Sequence, residues 1–145
     1  MGTQQILLIV LSVIIVGVAV AVGIQMFNTQ AMNSNRQAVI GDLQTYGTQI
    51  MQYHRTPTSQ GGGGNNLTTA YTVEKLGQFL GWSAAEITAV LQDTDTGTYD
   101  MTPAIGSVVM IGLGTETGND GSAPVKATLT VTLGAGSPLA TVVGN

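Results

Sequence analysis

Residues with the chemistry for catalysis are few and widely spaced in this sequence. The one histidine, His54, stands beside Arg55 near a predicted helix end, without an acid, base or nucleophile spaced to share a proton with it. We interpret His54 as a polar helix terminus. The chain contains no cysteine, which excludes thiol catalysis, disulfides and cysteine metal ligands. The sequence therefore predicts neither an enzyme nor a bound cofactor.

Three carboxylates in the middle of the chain have a spacing close to that of a calcium-binding loop. They are Asp93, Asp95 and Asp100. An EF-hand loop takes glycine at its sixth position and glutamate at its twelfth, whereas Gly97 is fifth if Asp93 is first. We interpret residues 93–100 as a turn-rich connection after a helix, and we predict no metal site.

The charge balance argues against one class of partner. The net charge is −4, and the chain has only four basic residues. Binding to a nucleic-acid backbone depends on a cluster of Lys and Arg side chains, which four separated residues do not provide. We expect no nucleic-acid partner.

The element that dominates the sequence is an apolar segment of nineteen residues, 6–24, in which Ser12 is the one polar side chain. At about 1.5 Å per residue, a helix of this length would span about 28 Å, close to the hydrocarbon thickness of a membrane. The first charged residue of the chain is Arg36. We therefore expect the segment to reside in a membrane at some stage.

Two alternatives compete with membrane residence. A buried core helix is one, but a domain of the remaining residues could not easily cover so long a helix on all sides. A cleaved secretory signal is the other, and it would carry a basic N-terminal region and an apolar stretch of about 7–15 residues. Residues 1–5 contain no Lys or Arg. The apolar segment is also longer than the apolar stretch of a signal peptide, and it continues into a helical pattern.

The helical pattern extends beyond the apolar segment. Residues 28–56 contain no proline, and their apolar residues recur mainly at spacings of three and four, which is typical of an amphipathic helix. The stripe consists of Met32, Val39, Leu43, Tyr46, Ile50 and Tyr53. We predict one helix from about residue 3 to about residue 54. The apolar side chains of its first half must be buried on every face by something outside the chain. Those of its second half must be buried on one face only.

A flexible loop is predicted next, because residues 56–66 combine proline, serine and four consecutive glycines. The loop ends on the sequence Asn66-Leu67-Thr68, which is an N-glycosylation sequon. Asn66 is therefore a candidate glycosylation site, although so short a pattern also occurs by chance.

Two short helices follow the loop. Thr72 is a plausible N-cap for a helix that ends near Gly81, and Ser83 with Glu86 forms the S-x-x-E capping box of a second helix. The apolar residues of the second helix are Ile87, Val90 and Leu91.

The last third of the chain changes to a period of two. Valine, alanine and leucine alternate with lysine and threonine over residues 125–133, which predicts a half-buried strand, and 108–113 and 139–143 are further candidates. We expect Leu129, Val131 and Leu133 to face the long helix, and Thr128, Thr130 and Thr132 to face away from it. Residues 114–124 would form a loop. The predicted fold is α+β, with the long N-terminal helix packed on a three- or four-stranded antiparallel sheet and two short helices between them.

This organisation, reached over residues 3–53, resembles the type IV pilins, broadly defined with the pseudopilins. The resemblance implies that the apolar half of the helix holds the subunit in the inner membrane before assembly. It then packs with many identical copies as the core of a helical filament, while the head coats the outside. The pilus assembly machinery and a cell-surface location follow from the same resemblance. We divide the chain into a membrane or filament-core helix (residues 1–27), its amphipathic continuation (28–56) and a globular head (57–145).

The resemblance also suggests which residues assemble. Family members carry a glutamate near the start of the apolar run, and Gln5 stands at that place if Met1 is the mature N-terminus; the alternative is cleavage after Gly2. The small residues Gly17, Ala21 and Gly23 would let neighbouring helices approach closely. The predicted assembly residues are Gln5, Ile6, Leu7, Val10, Val13, Ile14, Gly17, Ala21 and Gly23.

Two other functions remain open at this point. A pseudopilin of a secretion or DNA-uptake machine would share the same architecture. A single-span membrane protein with a binding ectodomain would use the apolar segment as an anchor only.

Overall fold

The first element is one uninterrupted helix, α1, from Thr3 to Arg55 in a computed structural model that describes residues 2–134 and 139–144. The prediction of a continuous helix from about residue 3 to about residue 54 is confirmed for this chain. Gly17 and Gly23 each disfavour a helix by about 1 kcal/mol, but neither removes a backbone donor as proline would. The helix ends shortly before Pro57, because proline disfavours helical geometry in the residue that precedes it.

Two short helices lie between α1 and the sheet, α2 (Val73–Leu80) and α3 (Ala84–Ala89), after a short 3₁₀ turn at Thr58–Gln60. Their predicted caps are confirmed. The Thr72 hydroxyl accepts a hydrogen bond from the backbone N–H of Lys75 at 3.4 Å, and Ser83 forms the capping box with Glu86. The assignment of Val90 and Leu91 to the second helix is wrong, because Val90 takes a positive φ of 54° that ends it.

The C-terminal half forms one antiparallel sheet in which each strand pairs with the next along the chain. Its strands are β1 (Leu91–Thr94), β2 (Gly97–Ala104), β3 (Ser107–Thr117), β4 (Pro124–Thr132) and β5 (Leu139–Gly144). The α+β fold class is confirmed.

The sheet has five strands rather than the three or four predicted. The interpretation of residues 93–100 as a simple connection is wrong, since they lie in the β1–β2 hairpin, where Thr94 pairs with Gly97. The predicted loop 114–124 is also shorter than expected, because β3 continues to Thr117, which pairs with Pro124. Both differences arise from pairing with neighbouring strands, which converts polar, threonine-rich segments into strands.

The hydrophobic core lies between the second half of α1 and the sheet. Val39, Leu43, Ile50 and Tyr53 of α1 are buried, and Tyr46 packs against them at the edge of the core. The predicted stripe is therefore confirmed as the core-facing side from Val39 to Tyr53, whereas Met32 is half-buried and lies outside the core.

The alternation along β4 also behaves as predicted. Its buried residues are Val125, Ala127, Leu129 and Val131, and Leu133 is buried just after the strand. Thr128 and Thr130 are partly exposed and Thr132 is exposed. Since the side chains of a strand point alternately to opposite faces, burial of Leu129 and Val131 sends the threonines away from α1.

Two glycines of β3 allow α1 to lie close to the sheet. A Cβ atom at Gly112 would lie 2.7 Å from Cγ1 of Val39, and one at Gly114 would lie 1.9 Å from Oδ1 of Asn35. Because non-bonded heavy atoms do not approach to such distances, a larger residue at either position would have to displace the side chain of α1 that faces it.

A polar cluster fixes the position of α1 against the β1–β2 hairpin. Asp42 Oδ2 accepts hydrogen bonds from the Tyr99 hydroxyl at 2.8 Å and from the Thr96 hydroxyl at 2.6 Å. Asn35 Nδ2 donates to the backbone carbonyl of Thr96 at 2.9 Å. Burial raises the pKa of Tyr99 well above its ordinary value, so this hydroxyl stays protonated and keeps donating to Asp42.

Candidate membrane and assembly segment

The first half of α1 lies outside the core and is exposed on all sides. From Ile6 to Phe27 the large apolar side chains are between 49% exposed, at Val22, and 78% exposed, at Phe27. Consecutive helical residues point about 100° apart, so exposure of successive residues means that every face is open. Within the described residues, no other element covers this part of the helix.

This segment meets the length and composition of a membrane-spanning helix. Its most apolar stretch of 18 residues has a mean hydropathy of 3.1, and none of these residues is buried within the chain. Ser12, its one polar side chain, donates to the carbonyl of Ile9 at 2.8 Å, so its hydroxyl needs no partner from another chain. The segment can therefore enter an apolar environment without leaving that hydroxyl unpaired.

The structure places the predicted assembly residues along this exposed half. Those described as exposed are Gln5, Ile6, Leu7, Val10, Val13, Ile14, Gly17 and Ala21, and Gly23 is partly exposed. A Cβ atom at Gly17 or Gly23 would have no neighbouring heavy atom within 4 Å. These glycines are therefore not needed for packing inside the chain, and their role between chains stays a prediction.

His54 has a different environment from the polar helix terminus expected. It is buried, and its Nδ1 lies 2.5 Å from the hydroxyl of Tyr71. The same hydroxyl donates to the backbone carbonyl of Asn66 at 3.1 Å. Burial lowers the pKa of His54, so the ring is neutral at neutral pH. Through Tyr71, the His54 side chain therefore links the end of α1 to Asn66 at the end of the glycine-rich loop, a contact that local sequence does not reveal.

The side chain of Asn66, the candidate glycosylation site, is engaged within its own loop. Its Nδ2 donates to the Thr69 hydroxyl at 2.7 Å, and its Oδ1 accepts from the backbone N–H of Thr68 at 2.8 Å. The residue is partly exposed. Glycosylation at Asn66 stays a prediction.

The three carboxylates considered for calcium lie on the β1–β2 hairpin. Asp93 is in β1, Asp95 is in the turn and Asp100 is in β2. Over the described parts of the chain, no three His, Cys, Asp or Glu side chains gather in a way that could hold a metal ion.

A cavity of about 680 Å³ lies near the C-terminal end of α1, and sequence reasoning did not anticipate it. Residues of α1, of the glycine-rich loop and of α2 line it. One local signal was present, because Lys75, Gln78 and Phe79 have the spacing that places side chains on one face of a helix.

Comparisons of the chain with family models, with curated proteins and with solved structures found no match. The fold and the exposed segment define a small α+β head carried on a long helix. The apolar half of that helix fits a protein that is anchored in a membrane or built into a filament.

Proposed function

We propose that the chain is a structural subunit of an extracellular filament of the type IV pilin kind. The observation that carries the proposal is the fully exposed apolar half of α1, which continues directly into a half that its own head covers. Such a helix needs an apolar surrounding supplied from outside. A membrane supplies it before assembly, and other copies of the same chain supply it in the filament.

The size of the exposed surface supports an assembled state. At about 25 cal/mol per Å² of apolar surface, burying this half of the helix is worth on the order of tens of kcal/mol before the costs of ordering and association. Exposed in water, it would drive non-specific aggregation. Identical copies that pack side by side in a filament bury the same apolar surface in an ordered assembly instead of an aggregate.

The distribution of charge favours transfer from membrane to filament over permanent anchoring. On the C-terminal side of the apolar segment, where Lys or Arg usually flank a membrane-spanning helix, the first charged residue is Arg36, twelve residues after Ile24. A segment without charges can leave the lipid and enter a protein core without stripping water from an ion. The small residues Gly17 and Ala21 add a surface on which helices pack closely in apolar surroundings.

The test is electron microscopy of filaments sheared from the cell surface, together with mass spectrometry of the subunit N-terminus. We expect filaments in which this chain is the dominant protein, with the heads outside. A chain that stays in the membrane fraction and extracts into detergent as a monomer would instead support a single-span membrane protein. A chain present only in traces beside another dominant subunit would support a pseudopilin.

A further inference from the structure

The cavity near the end of α1 carries a second inference. It lies between the glycine-rich loop, residues 61–63, and the face of α2 that presents Lys75, Gln78 and Phe79, with Tyr53 at its base. Tyr53 is 29 residues after Ile24, which is about 44 Å along the helix axis. The cavity is therefore remote from the apolar segment and open to the surroundings of the head. We propose that it is a binding site for a sugar ring.

The aromatic side chains of the cavity form one rigid cluster. Tyr53 is 2% exposed, and its ring lies 5.1 Å from that of Tyr71 and 5.2 Å from that of Phe79, both in edge-to-face arrangements. The core holds Tyr53, which in turn fixes the two outer rings. Phe79 is 36% exposed, so part of its ring is free to contact a ligand. A sugar ring has a face of C–H groups that packs well on such an aromatic surface.

Tyr71 is held in place from behind. Its hydroxyl is engaged by His54 Nδ1 and by the backbone carbonyl of Asn66. A Cβ atom at Gly63 would lie 2.6 Å from that hydroxyl, so any residue other than glycine would clash with the Tyr71 side chain in this position. Because the hydroxyl is engaged, Tyr71 contributes to the cavity lining through its partly exposed ring.

Polar groups around these rings match the hydroxyl groups of a sugar. The Gln78 amide both donates and accepts hydrogen bonds, and the Lys75 ammonium donates them, while each sugar hydroxyl can do both. Among the described residues that line the cavity there is one cation and no carboxylate. A sugar that carries a carboxylate is therefore expected to bind better than its neutral counterpart, because Lys75 can pair with it.

The experiment uses the full chain in micelles of a zwitterionic detergent that contains no sugar. Saturation-transfer NMR is recorded with glucose, galactose, N-acetylglucosamine and glucuronate, each at millimolar concentration. We expect transfer to the ring protons of at least one sugar, and tighter binding of glucuronate than of glucose. Phe79→Leu keeps an apolar side chain but removes the ring, so it should weaken binding roughly fivefold. Lys75→Gln should abolish the advantage of glucuronate.

The control variant is Ile105→Ala, at the tip of the β2–β3 hairpin, where the side chain is 68% exposed and does not line the cavity. It should bind as the unaltered chain does. Absence of transfer to all four sugars, or equal binding by the Phe79→Leu variant, would overturn the proposal. The measurement does not require filaments, so its failure would leave the proposed filament untouched, and a failure to find filaments would leave this site untouched.

Discussion

A charge placed in the middle of the exposed apolar segment should separate assembly from folding. Val13 is 66% exposed and lies far from the core of the head. In Val13→Asp we therefore expect the stability of the head to change by no more than about 0.5 kcal/mol, as for other exposed substitutions. The effect of Val13→Asp should appear only where residue 13 must enter apolar surroundings, in the membrane or in the filament core.

The magnitude follows from the cost of a buried carboxylate. An Asp at the centre of an apolar helix costs about 3 kcal/mol on insertion scales, and each Leu, Ile or Val contributes about −0.3 to −0.6 kcal/mol in the opposite direction. The aliphatic residues of the segment therefore still drive membrane insertion. In the bilayer, local thinning and water defects keep the cost of the carboxylate this low, whereas a packed filament core does not allow them, so transfer from membrane to filament carries a further cost. A further cost of about 3 kcal/mol would lower the equilibrium constant for addition of each subunit roughly 150-fold.

The assay compares three quantities in cells that make Val13→Asp or the control Val13→Leu. The membrane fraction measures insertion, the sheared surface fraction measures filaments, and the fluorescence of the single tryptophan measures unfolding of the head. We expect normal insertion and a normal head for both variants, and loss of filaments for Val13→Asp alone. Filaments of normal yield from Val13→Asp would refute the reasoning, because they would show that residue 13 does not become buried.

Three further predictions concern close packing, the core and pH. Gly17→Leu should reduce filament yield more than Val18→Leu, because a small residue at position 17 lets neighbouring backbones approach closely and a bulky one does not. Leu43→Ala should lower the free energy of unfolding by about 2–5 kcal/mol, since Leu43 is fully buried between helix and sheet, whereas the exposed Gln44→Ala should change it by less than about 0.5 kcal/mol. Burial lowers the pKa of His54 from 6.5, so below that pH the unfolded chain binds a proton more readily than the folded chain does. The free energy of unfolding should therefore have its highest value above about pH 6.5 and fall as the pH is lowered below it. The variant His54→Gln should not show this decrease.

Each of these predictions has an opposing outcome. Equal filament yields from the Gly17 and Val18 variants would show that close helix approach is not required. A Leu43 variant as stable as the Gln44 variant would place Leu43 outside the core in solution. A pH dependence that survives in His54→Gln would assign it to other groups. The tryptophan fluorescence in urea, at about pH 7.5 and about pH 5.5, measures the last two.

The elements with a strong local signal were predictable. The stripe through Leu43 and Ile50 and the alternation around Val131 both repeat over many residues, so their period identified helix, strand and buried face together. The capping box at Ser83 was also predictable, because its two hydrogen bonds join residues three apart.

The β1–β2 hairpin had a weaker signal that could have been found. Gly97, Tyr99 and Met101 are buried, while Thr98 and Asp100 between them are partly exposed, which is an alternation of period two. The run of aspartate, threonine and glycine before it is equally typical of a turn that ends a helix. Pairing of β2 with β3, which places Tyr99 opposite Gly112, decides in favour of the hairpin over a turn that ends a helix.

The sequence by itself determined that this chain has a long helix with two different halves, because hydrophobic period and length are local properties. Tertiary structure alone decided which distant groups meet. Asp42 reaches Tyr99 across 57 residues, and His54 reaches Tyr71 across a loop whose glycines allow the contact. The cavity beside Phe79 exists for the same reason. Each of these contacts depends on how the loop and the hairpin close against α1, and that closure is set by the packing of the whole core, not by the residues nearby in sequence.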